Sequence, residues 1–82
     1  MGVTYHVALP FVRDEAGEII AGEPQECPDA GKAARVASFL ASDPKHCGAI
    51  AFSRTGDPSL GDFEDAVVIK TFGTVDPLAL GG

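Results

Sequence analysis

At 82 residues, with 45% hydrophobic and 22% charged side chains, the chain fits one small globular domain rather than a disordered segment. A net charge of -6 argues against unaided binding to DNA, RNA or an anionic membrane surface, because each of these relies on cations meeting phosphate. No apolar run is long enough to span a bilayer, and no basic flank precedes an apolar signal region at the N-terminus, so a cytoplasmic address is expected.

The first segment, "VTYHVALPFV" (residues 3–12), alternates. Val3, Tyr5, Val7, Leu9 and Phe11 are large and apolar, whereas Thr4, His6, Ala8 and Pro10 are smaller or polar. Period two predicts a half-buried strand. Pro10 has no N–H to give a ladder, so it is expected at a bulge, an edge or the strand's end. "RDEAGE" follows as a polar turn in which Gly17 can take a positive φ. "EIIAGEPQEC" predicts a weaker second strand, and Gly22 and Pro24 suit it to an edge.

Residues 28–44, "PDAGKAARVASFLASDP", predict a helix. Asp29 is the expected N-cap. Ala33, Val36, Ala37 and Leu40 fall at i, i+3, i+4 and i+7 and form one apolar stripe, which Phe39 is expected to widen. Pro44 stops the helix by pushing Asp43 out of the α region. A third strand is expected over residues 48–54, "GAIAFSR", and a fourth over 63–72, "FEDAVVIKTF". "TGDPSLGD" between them reads as a hairpin loop rich in turn residues.

The order β-β-α-β-β predicts an α+β two-layer sandwich: a four-stranded, mainly antiparallel sheet with one helix on one face and strand order 2-1-3-4. Residues 1–74 are expected to form the single domain and residues 75–82 a loose tail.

No motif carries chemistry. Asp57, Ser59 and Gly61 take early positions of a calcium loop, but Asp62 stands where its glycine belongs and the twelfth-position Glu is missing. Gly31-Lys32 has no glycine-rich run before it, so a phosphate loop fails. Cys27 and Cys47 are expected as reduced thiols, since the helix between them holds them about 18 Å apart and a disulfide needs about 7 Å. No metal site and no cofactor are expected.

Two site candidates remain. Arg54, Thr55 and Gly56 offer a fork and turn N–H groups to an anionic ligand. Cys27 lies just before the helix, where the positive dipole end favours a thiolate nucleophile. Arg54 is expected to share a face with Ile50 and Phe52, and that face is expected to lie under the helix.

The stretch "GAIAFSRTGDP…GDFEDAVV", with "YHVALPF" ahead of it, resembles a family of small bacterial proteins of unknown function. The likeness spans residues 5–73. It implies a bacterial protein and no activity, cofactor or residue role.

One helix covers only one face of a sheet. The opposite face is expected to carry Thr4, Ala8, Ala49, Ala51 and Ser53, and to serve as the interface of a non-enzymatic module that forms a homodimer or binds a protein partner. The rival reading is a small-ligand or thiol-dependent enzyme built on Cys27.

Overall fold

Residues 3–13 run as one long strand, β1 (Val3–Arg13), through the centre of a mostly antiparallel sheet. The structure, a computed structural model, describes residues 2–57 and 59–76. After β1 come β2 (Ile19–Ala21), β3 (Gln25–Cys27), α1 (Ala30–Ala41), β4 (Gly48–Asp57), β5 (Asp62–Phe63) and β6 (Val67–Gly73). The class is α+β, as the patterning predicts, but among the described residues one helix accompanies a sheet of six strands rather than four. β2 and β3 both pair with β1, and β5 and β6 both pair with β4. Each edge of the sheet is broken in two.

Pro10 explains the first break. It does not end β1, which continues to Arg13, and it pairs with Ala49 of β4. Its carbonyl points the other way and accepts from Gly22 N–H at 2.8 Å. The N–H and C=O of one strand residue point to the same side, so the missing N–H lies on that side too. The ladder there stops: β3 pairs with residues 6–8 and β2 with residues 11–13. Between β1 and β2, the Asp14 carboxylate accepts from Ala16 and Glu18 N–H at 2.9 Å, and Gly17 takes φ 82. On the far edge, β6 slips register between Ala51 and Phe52, which leaves Ile69 as an extra residue that packs toward the helix.

Helix α1 starts at Asp29, whose extended backbone frees its carboxylate to accept Lys32 N–H at 2.7 Å. At the other end Ser42 hydroxyl donates to Phe39 O at 2.6 Å, and His46 Nδ1 bonds Leu40 O at 2.7 Å. His46 therefore serves as a cap for carbonyls the helix leaves open. Ala33, Ala37 and Leu40 are buried against the sheet. Phe39 does not widen this stripe: it is 76% exposed.

The helix covers the opposite face from the one expected. Its cluster joins Ala33, Ala37 and Leu40 to Ala8, Cys27, Ala49 and Ala51. Ala8 pairs with Ala51 across β1 and β4, so alanine meets alanine under the helix and lets the layers come close. The expectation that Ala8, Ala49 and Ala51 form an open interface is thus overturned, because all three are fully buried. Large side chains occupy the second face, where Leu9, Phe11 and Ile50 cluster with Ile19, Cys47, Phe52 and Val75. Val75 was expected in a loose tail, yet it packs here, and Thr74 N–H donates to Cys47 O at 2.9 Å. The remainder of that expected tail, residues 77–82, lies outside the described residues. Among the described residues no helix is long and apolar enough to cross a membrane.

Candidate functional site

The polar stretch from Arg54 to Asp62 is mostly strand. β4 runs on to Asp57 and β5 begins at Asp62, so the chain reverses between these two residues. The reversal is built on Asp57, whose carboxylate accepts Ser59 hydroxyl at 2.6 Å and Ser59 N–H at 3.0 Å. Leu60 N–H donates to Asp57 O at 3.1 Å. The Ser59 bonds hold the Asp57 carboxyl below its ordinary value of 3.8.

Arg54, Thr55 and Gly56 do not converge on an anion. Successive strand residues point to opposite faces, which parts the Arg54 and Thr55 side chains. Thr55 hydroxyl is 2.9 Å from the hydroxyl of Thr4, its cross-strand partner. Gly56 lies between Val3 and Phe63 in the sheet, and a Cβ there would run into the Phe63 ring. Without a Cβ, Gly56 leaves room for that ring, which meets Tyr5 at 6.2 Å between centroids. Arg54 stands opposite Tyr5, half-buried. It does share a face with Ile50 and Phe52, but that face lies away from the helix.

Cys27 is buried, and its thiol donates to Gln25 O at 3.6 Å. The register makes it the direct neighbour of His6, which is in turn the neighbour of Ser53. Sequence reasoning missed this row, because only the pairing of β3 with β1 brings residues 6 and 27 together. The His6 Nδ1 atom is buried and makes no hydrogen bond. Proximity is thus present, but the hydrogen bond that would make His6 a base for the thiol is not. Asp29 also occupies the helix end that was to favour a thiolate, taking the Lys32 N–H for itself. Both cysteines are free, and among the described residues no group of three His, Cys, Asp or Glu side chains is placed to hold a metal.

The remaining feature is the sheet face opposite the helix. At one end of it Leu9, Phe11 and Ile50 are buried beneath Val75 and Ile19. At the other end the same face stays open. Val3 and Phe63 are each 43% exposed and Val68 is 46% exposed. Tyr5, Val7 and Phe52 lie between them, half-buried. The register joins these side chains into one patch: Val7 faces Phe52, Phe52 faces Val68, and Val3 and Phe63 flank Gly56. No family model, curated protein or solved structure matches this chain.

Proposed function

We propose that this chain is a non-enzymatic interaction module that pairs with a second copy of itself through the open half of its sheet face. The observation that carries the reading is the group of Val3, Tyr5, Val7, Phe52, Phe63 and Val68 gathered around half-buried Arg54 on a face that α1, the one helix among the described residues, does not cover. Apolar groups left in water at this density favour association, at about 25 cal/mol per Å² of apolar area removed from water. Two copies meeting sheet to sheet about a two-fold axis bury the same residues on each side.

The interface is therefore the reverse of the small-residue surface that the alternation of β1 and β4 first suggests. Thr4 and Ser53 lie on the helix side of the sheet, beyond the alanines the helix covers. The bacterial, cytoplasmic assignment remains part of this proposal and rests on the sequence resemblance alone.

Tyr5 gives a direct test, since it is the sole tyrosine, there is no tryptophan, and it sits in the patch. Its fluorescence anisotropy is expected to fall on dilution from high to low micromolar concentration, along one curve with a two-fold stoichiometry. A signal that is flat over that range contradicts self-association through this face.

A further inference from the structure

We infer that the flank of α1 carrying Lys32, Arg35 and Phe39 is a second, independent docking surface, and that its occupant is an acidic peptide segment with a large apolar anchor. A groove of about 390 Å³ lies there, lined by Gln25 of β3 and by Lys32, Arg35, Val36, Phe39 and Leu40 of α1. Val36, Phe39 and Leu40 make half of the lining apolar, and Phe39 is 76% exposed.

The charge of the groove sets it apart. The chain has 12 acids and only six Lys and Arg, yet two of those six line this groove and no carboxylate does. Among the described residues neither the Lys32 ammonium nor the Arg35 guanidinium has an ion-pair partner. Glu26 pairs with Val7 and so points to the other face of the sheet. Asp29 stays close: its carboxylate accepts Lys32 N–H, and both it and the Arg35 guanidinium lie next to Gly31. At physiological salt the screening length is about 8 Å, so acids farther off are largely screened from the groove, and Asp29 offsets part of its positive charge. Carboxylates of an incoming segment still meet two cations at contact distance.

The same features choose a peptide over a small molecule and over an added strand. The groove is open along the helix, whereas pockets for small ligands enclose about 70–90% of their guest. The outer edge of β3 is bracketed by Pro24 and Pro28, which blunt it as a template for strand pairing. Recognition then rests on side chains: an apolar anchor against Val36, Phe39 and Leu40, and flanking Asp or Glu on Lys32 and Arg35.

The test uses the full chain and three fluorescein-labelled twelve-residue peptides: Glu alternating with Leu, Lys alternating with Leu, and Glu alternating with Ser. Anisotropy is expected to report binding of the Glu-Leu peptide alone, weakening as salt is raised. Lys32→Glu combined with Arg35→Glu is expected to weaken it by about tenfold or more, and Phe39→Ser by a similar factor. Val68→Asp, on the opposite face, is expected to leave it unchanged, which separates this surface from the proposed self-association. Equal binding of the Glu-Leu and Lys-Leu peptides overturns the inference, as does binding that ignores the charge reversal. It is also overturned if the charge reversal lowers the mass of wild-type assemblies, because the occupant is then a second copy.

Discussion

Gly56 shows how one residue can look like a ligand site and be a packing device. Beside Arg54 and Thr55 it suggests a cradle of N–H groups, but the structure lays the Phe63 ring on it and pairs it on both sides. Gly56→Ala is expected to destabilise the fold by about 1–3 kcal/mol, the usual cost of overpacking, in a denaturant titration. Cys27 is similar. Its buried thiol is expected to react with iodoacetamide only as fast as the fold opens, at a rate that falls when stability is raised. Rapid alkylation of native protein at Cys27 revives the thiol-enzyme reading. Asp57 adds a pH dependence to the turn. Its folded pKa lies below 3.8, so its stabilising effect is full above the unfolded value and is lost as pH falls through the folded one. An NMR titration is expected to show the Asp57 carboxyl and the Ser59 amide moving together below the ordinary carboxylate range. Asp57→Asn abolishes that transition.

At the scale of elements, the helix was legible because its signals are local. Asp29 caps it, Pro44 follows it, and Ala33, Ala37 and Leu40 recur on one face. Asp29→Ala is expected to cost about 1 kcal/mol, read as a lowered melting temperature. The strands of β1 and β4 were legible from alternation, but which face meets the helix was not. Period two separates large from small residues without saying where the helix lies, and a rule of large-inside chooses wrongly here. A helix rich in Ala33 and Ala37 sits close to the sheet, so it fits the alanine face and leaves Tyr5, Val7 and Phe52 on the other. Ala51→Leu is accordingly expected to destabilise by about 1–3 kcal/mol, since no space remains beneath α1. The broken edges were half legible: Pro10 carried the signal, but the side on which its missing N–H falls depends on β1–β4 register. The meeting of His6 with Cys27 has the same origin and no sequence signal at all.

For the whole molecule, the proposed self-association rests on the asymmetry between two faces. One is closed by α1 over alanine, and the other keeps Val3, Phe63 and Val68 in water at 43–46% exposure. An 82-residue chain buries only about 60% of its unfolded surface by itself, so the second copy proposed for the open face would add core to it. Stability is then linked to concentration, and the melting temperature is expected to rise as the protein is concentrated. The most direct measurement is light scattering of the wild type and of Val68→Asp across a concentration series into the high micromolar range. Twice the monomer mass is expected for the wild type and a monomer for Val68→Asp, with the far-ultraviolet spectrum of the folded chain kept. A wild type that remains monomeric at high micromolar concentration, or a Val68→Asp variant that remains a dimer, contradicts the proposed self-association.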